Sequence, residues 1–235
     1  MDINLRGELW DNDSADVIRW MGWRDITAPM DIQTALEAAG GEDVTLLINS
    51  PGGDMAVGLE IRSMLRRYQG RTTALFQGYG ASAATLAATG CGVIQCEPGA
   101  LLCYHNPGGG AEGDFRDMRR AAEALRNARD CILEVYTARN GTKTRDELIA
   151  LMDKDIWITP TQAKEYGLID EVVGLPGGSQ GDDPAAFVAG TGGRIRLTAA
   201  MREKYQAHVA EQRAAQARQE QASRALARLR ALAEF

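Results

Sequence analysis

The stretch Val44–Asp54, VTLLINSPGGD, decides how this chain is read. A mostly apolar run, VTLLIN, passes straight into Ser-Pro-Gly-Gly, which reads as a buried strand ending in a tight turn. Asp54 is placed to cap a helix, and Val57, Ile61, Met64, Leu65 and Tyr68 then recur at helical spacing. Strand, turn and amphipathic helix together form the repeating unit of an α/β fold.

The same alternation continues outward. Thr72–Phe76 (TTALF) reads as a second strand, and the small residues from Gly78 to Gly90 suit a closely packed helix. Val93–Gln95 and Ala100–Tyr104 are further short strands. Phe115–Arg139 is a long helix with Met118, Ala122, Leu125, Ala128, Ile132, Val135 and Tyr136 on a common side. Arg145–Met152 and Pro160–Tyr166 are shorter helices, with Gly167 ending the second, and Leu168–Val173 closes the body as a strand. Strands alternating with helices predict parallel pairing through right-handed crossovers.

The chain divides into a body over 1–174, a linker over 175–197 and a tail over 198–235. The linker carries LPGGSQGDDPAAFVAGTGG, rich in Gly, Pro and Asp. The tail is dominated by Ala, Arg, Gln and Glu and is helical by propensity, either as a solvated helix or as one that pairs with a partner or another subunit. From Arg194 onward nine Lys/Arg face four Asp/Glu, so that stretch carries +5 and the rest −11 of the net −6. The net charge of −6 argues against nonspecific nucleic-acid binding by the whole protein. No apolar run approaches the roughly 18–20 residues that span a bilayer, and the acidic start MDINLRGELWDNDSADV lacks the apolar core of a secretory signal, so a cytoplasmic, non-membrane protein is expected. Cys91, Cys96, Cys103 and Cys131 lack the paired short spacing of a zinc site and are expected to be reduced thiols, mostly packed as small hydrophobes. Neither a metal nor an organic cofactor is expected.

Ser82 lies in GYGASAATLAATG, after a strand and at a helix start. Such a turn exposes a hydroxyl, its small neighbours admit a substrate, and the first helical N–H groups can face developing negative charge. Serine at that position is equally a helix N-cap, the commoner use. Gly52 and Gly53 let the backbone turn with an N–H toward a ligand, which beside a nucleophile makes an oxyanion donor. His105, in LLCYHNPGGG, stands at a strand end, where a plain packed or solvent-facing histidine is the commoner case, yet acyl transfer at neutral pH needs such a base and few alternatives exist. His208 sits in the tail on a helix face read as solvated. Asp155, in MDKDIWITP, could orient the imidazole, but Asp153 competes and spacing does not choose between them.

INSPGG (Ile48–Gly53), GASAA (Gly80–Ala84), YHNP (Tyr104–Pro107) and DKDIWITPTQAKEYGLID (Asp153–Asp170) together resemble the ordered signature of Clp proteolytic subunits, from about Ile3 to Val173. The resemblance implies the ClpP/crotonase-like α/β superhelix of βαβ units, with Phe115–Arg139 as a handle helix between rings. It also implies Ser82 as nucleophile, His105 as base, Asp155 as orienting acid, and the N–H groups of Gly53 and Ala83 as the oxyanion hole. Asp153 and Lys154 match positions that couple ring contacts to the active site in the housekeeping enzymes, which commonly have arginine at the second; lysine cannot make the same bidentate pair. Isolated subunits are expected to have a poorly formed triad. The short INLRGEL start, the Trp157 after Asp155 and the basic tail look more like the phage and prophage branch, implicated in cutting scaffold or capsid proteins during head maturation.

The expected activity is thus serine endopeptidase action on polypeptides by homo-oligomeric, stacked rings, in the host cytoplasm or a prohead. The rivals are a housekeeping ATP-dependent Clp subunit, an acyl-CoA hydratase or isomerase of the crotonase fold, a Ser/Lys signal-peptide peptidase, and a non-catalytic ring assembly protein. Whether an unfoldase ATPase docks stays open.

Overall fold

The computed structural model describes residues 1–139, 143–174 and 197–233. In chain order the elements are β1 (Asp2–Leu9), α1 (Asn12–Trp20), β2 (Ile26–Thr27), α2 (Pro29–Ala39), β3 (Val44–Gly53), α3 (Met55–Arg67), β4 (Thr72–Ala81) and α4 (Ala83–Ala88). Next come β5 (Val93–Cys96), β6 (Leu101–Cys103), α5 (Phe115–Arg139), α6 (Arg145–Met152), β7 (Trp157–Ile158), α7 (Pro160–Glu165), β8 (Glu171–Val172) and α8 (Ala199–Ala233). The chain divides into two units, Met1–Ala15 with Arg24–Val188, and Asp16–Trp23 with Ala189–Phe235.

The first unit is an α/β body around a sheet ordered β2-β1-β3-β4-β5-β8, all parallel. Every second residue of β3 is buried, which is the period of a strand with one covered face. Asp54 caps α3 by accepting from the N–H groups of Ala56 and Val57, and α3 lays Val57, Ile61 and Leu65 into the core. Phe76, Leu46, Ile48, Ile61 and Leu102 are fully buried, each contributing about 1.5–3 kcal/mol of apolar burial.

β4 changes partner along its length. Thr73–Phe76 pair with β5, whereas Tyr79–Ala81 pair with β6, which is joined on its far side by antiparallel β7. Such a divergence at the carboxyl ends of parallel strands opens a crevice where ligands characteristically bind.

Three expectations about the first unit need correction. The run from Gly78 to Gly90 is not one helix: β4 continues through Ala81 and only Ala83–Ala88 is helical, because small residues fit a strand pressed between neighbours as readily as a packed helix. The closing strand shrinks from Leu168–Val173 to Glu171–Val172, since Leu168 and Ile169 are spent on core packing. The apolar side of α5 is buried only through Ile132, Leu133, Val135 and Tyr136, while Phe115 and Met118 are 66% and 43% exposed. The expected linker lies outside the described residues except at its last position.

In the second unit, α8 brings Tyr205 and His208 against Trp20, with ring centroids 5.9 and 5.3 Å away. His208 is therefore not on a fully solvated face. Among the described residues no helix is long and apolar enough to cross a membrane, and no group of three or more His, Cys, Asp or Glu side chains is arranged to hold a metal ion.

Candidate active site

Ser82 comes directly after the last residue of β4, and its N–H donates to the Cys103 carbonyl at 3.1 Å, extending the β4–β6 ladder by one bond. Its backbone is at φ 56°, ψ −129°, a region that costs a side-chain-bearing residue about 1–3 kcal/mol. Ser82 occupies the N-cap position of α4, yet its hydroxyl makes no capping hydrogen bond. Thr85 instead serves the turn, donating its Oγ1 hydrogen to the Ser82 carbonyl at 2.6 Å. That hydrogen being used, the contact of 2.7 Å between Thr85 Oγ1 and the Tyr136 hydroxyl has Tyr136 as donor. A buried relay thus runs from α5 to the turn bearing Ser82.

The β3 turn closes over this serine. Gly52, at φ 84°, has no room for a side chain: a Cβ there would lie 2.7 Å from Ser82 Cβ and 2.8 Å from the Ala83 nitrogen. A Cβ on Gly53 would meet the Leu9 carbonyl oxygen at 2.3 Å instead. The N–H groups on either side of Gly53 are committed, Gly52 to Ser50 Oγ and Asp54 to the Leu9 carbonyl, both at 3.0 Å. Ala83 opens α4 and is buried.

Register brings the remaining candidates to the same edge. Cys103 pairs with Ala81 on one side and with Trp157 on the other. His105 lies two residues beyond Cys103 and Asp155 two residues before Trp157, so both flank the paired ends of β6 and β7. Burial pushes the Cys103 thiol up to about 11, and the nearby Asp155 charge adds to this. Among the described residues, Ser82 and Asp155 are the two non-glycine positions with positive φ. Tyr79 of β4 packs edge-on against Trp157, 6.2 Å between centroids, tying the two sides of the fork together.

The candidate side chains make no bond to one another. Among the described residues no hydrogen bond joins the Ser82, His105 and Asp155 side chains. His105 Nδ1 lies 2.7 Å from the Asn106 carbonyl oxygen, and Asn106 Nδ2 donates to Asp153 Oδ1 at 2.8 Å. A carbonyl oxygen can only accept, so Nδ1 carries hydrogen and the neutral ring presents an unprotonated Nε2.

Sequence reasoning missed Thr85, Tyr136 and Asn106. Thr85 and Tyr136 are 51 residues apart and Asn106 and Asp153 are 47 apart, so no local pattern announces either contact.

Comparison with known proteins gives the family and the fold. A sequence profile of the Clp protease family matches residues 26–175. The chain is 33% identical over 135 residues to an ATP-dependent Clp protease proteolytic subunit of Bacteroides fragilis, covering 57% of this chain and 65% of the relative. A subunit of the same description from Dehalococcoides mccartyi is 31% identical over 137 residues, covering 57% and 68%. The chain thus spans a little under two thirds of the Bacteroides relative's length. Among solved structures, a ClpP1 mutant from Listeria monocytogenes superposes with a TM-score of 0.60 at 19% identity, covering 74% of this chain and 92% of that one. At that identity the likeness speaks for the fold.

Proposed function

Since the chain belongs to the Clp protease family, we propose that it is a serine endopeptidase using Ser82, His105 and Asp155. The observation that carries this reading is Ser82 itself: a strained serine whose hydroxyl is spent on no cap, beside the strand that leads to His105. Ser82 Oγ attacks the scissile carbonyl while His105 Nε2 takes its proton. The oxyanion rests on the N–H groups of Gly53 and Ala83. His105 then protonates the leaving amine, and water repeats the cycle to release the acyl group. Asp155 then accepts the hydrogen bond from Nδ1–H and stabilises the imidazolium.

The absence of a bond between Asp155 and His105 in the single subunit fits an enzyme completed by assembly into homo-oligomeric rings, with polypeptides as substrates. The phage-branch resemblance and the basic helix α8 support scaffold or capsid processing as the biological role.

Ser82→Ala tests the assignment. It should lower casein hydrolysis by about three orders of magnitude or more and abolish covalent labelling by a fluorophosphonate; unchanged turnover would sink the reading. Incubation with a phage scaffolding protein beside casein tests the finer role, and cleavage of casein alone would remove it.

A further inference from the structure

We propose that Asn106 and Asp153 are positioning residues that set the tautomer of His105 before Asp155 engages it. This inference rests on the proposed role of His105 as base.

The bonds form a directional chain. Asp153 is the C-cap of α6, its own N–H held by the Ile149 carbonyl at 2.8 Å, so its carboxylate projects from a fixed helix end. Asp153 Oδ1 accepts from Asn106 Nδ2, which orients the amide, because the opposite flip would set the Asn106 oxygen against a carboxylate. The cost of that orientation is visible: Asn106 Oδ1 is buried without a hydrogen-bond partner. Pro107 adds a second restraint, since a residue before proline is confined to extended backbone, which limits where the Asn106 carbonyl can point. That carbonyl meets His105 Nδ1 at 2.7 Å. As an acceptor only, it keeps hydrogen on Nδ1 and leaves Nε2 free to take a proton from serine. Asp155, exposed and in a left-handed turn, bonds to neither residue here. Of the two carboxylates that flank Lys154, Asp153 thus holds the histidine loop and Asp155 is left for the reaction.

The test uses the full chain carrying ¹⁵N-labelled histidine, with His208→Gln to leave one imidazole, and reads the His105 nitrogens by solid-state NMR. Wild-type His105 should be the Nδ1–H tautomer. Asn106→Ala and Asp153→Ala should each shift it toward a mixture and slow fluorophosphonate labelling of Ser82 by about tenfold, the scale of losing one charge-assisted hydrogen bond. Asp153→Asn, which keeps an acceptor oxygen, should restore both readouts. The double variant should lose no more than either single one. Unchanged tautomer populations in Asp153→Ala would overturn the proposal, as would additive losses in the double variant. Asp153 is exposed, so its variants decide the matter even if Asn106→Ala fails to fold. Absence of labelling in the wild type would instead count against the serine assignment, while the NMR comparison still judges the positioning role.

Discussion

Ser82 donates its backbone N–H to the Cys103 carbonyl at 3.1 Å, a bond that ties the candidate nucleophile to the strand leading to the candidate base. The other end of the same residue is held as firmly: its carbonyl accepts from the Thr85 N–H at 3.0 Å and from Thr85 Oγ1 at 2.6 Å. A positive φ on a serine persists only where its surroundings over-determine it. Here backbone bonds on both sides and the Gly52 turn above supply that determination, and the hydroxyl is left uninvolved.

Gly52 is the most demanding of these supports. Any Cβ there would come within 2.5 Å of the Ala81 carbonyl oxygen and 2.7 Å of Ser82 Cβ, at a φ of 84°. Gly52→Ala should destabilise the protein by more than the roughly 1–3 kcal/mol of backbone strain alone and abolish fluorophosphonate labelling. Gly174→Ala, where a methyl meets nothing within 4 Å, should change neither. Thermal unfolding paired with active-site labelling checks both variants.

The Tyr136–Thr85 relay predicts an asymmetry between its two ends. Tyr136→Phe removes the outer donor but leaves the Thr85 bond to the Ser82 carbonyl intact, so it should cost about 0.5–1.5 kcal/mol. Thr85→Val strands the Tyr136 hydroxyl, which is buried, and takes from the Ser82 carbonyl one of its two donors, so it should cost about 1–3 kcal/mol and slow labelling as well. Urea denaturation of the two variants reads the order directly; an equal or reversed order would contradict the donor assignment.

What the sequence shows plainly is local. The β3 strand, its Ser-Pro-Gly-Gly turn and the Asp54 cap are adjacent in the chain, and periodicity with capping chemistry identifies all three. β4 is harder, because its continuation through Ala81 is decided by pairing with β6, some twenty residues on, while its own small side chains express no preference. The order of motifs singles out Ser82, His105 and Asp155, and strand pairing sets their carrier strands side by side: β6 lies between β4 and β7. The Asn106–Asp153 bond has no sequence signal, being a side-chain contact across 47 residues. The apolar period of α5 is legible, but which surface covers each part of it is not a property of local pattern.

The cysteines carry a pH prediction. Burial pushes the Cys91 and Cys96 thiols from 9.0 up to about 12, and Cys103 to about 11, so the folded protein keeps them protonated where the unfolded chain ionises them. Unfolding therefore releases protons above about pH 9. Their contribution to stability is fully present below that pH and is lost between about 9 and 11–12. Urea midpoints should fall through this window. At pH 8, iodoacetamide should modify exposed Cys131 and spare the other three, as intact-mass spectrometry would show.

The exposed start of α5 makes the last prediction. Ile132, Leu133, Val135 and Tyr136 anchor the helix to the body, whereas Phe115 and Met118 lie exposed at its other end, outside the core of this chain. Isolated apolar side chains are ordinary on surfaces, but two aligned one turn apart at the free end of a 25-residue helix suit an intersubunit contact. Phe115→Ser with Met118→Ser should change the stability of the single subunit by less than about 0.5 kcal/mol while shifting the particle toward smaller species. Sedimentation of the wild type should give a multiple of 25.4 kDa, and the double variant a lower one. If assembly completes the site, fluorophosphonate labelling should fall in step with that loss of mass; full labelling of a monomeric variant would show that the single subunit is already competent.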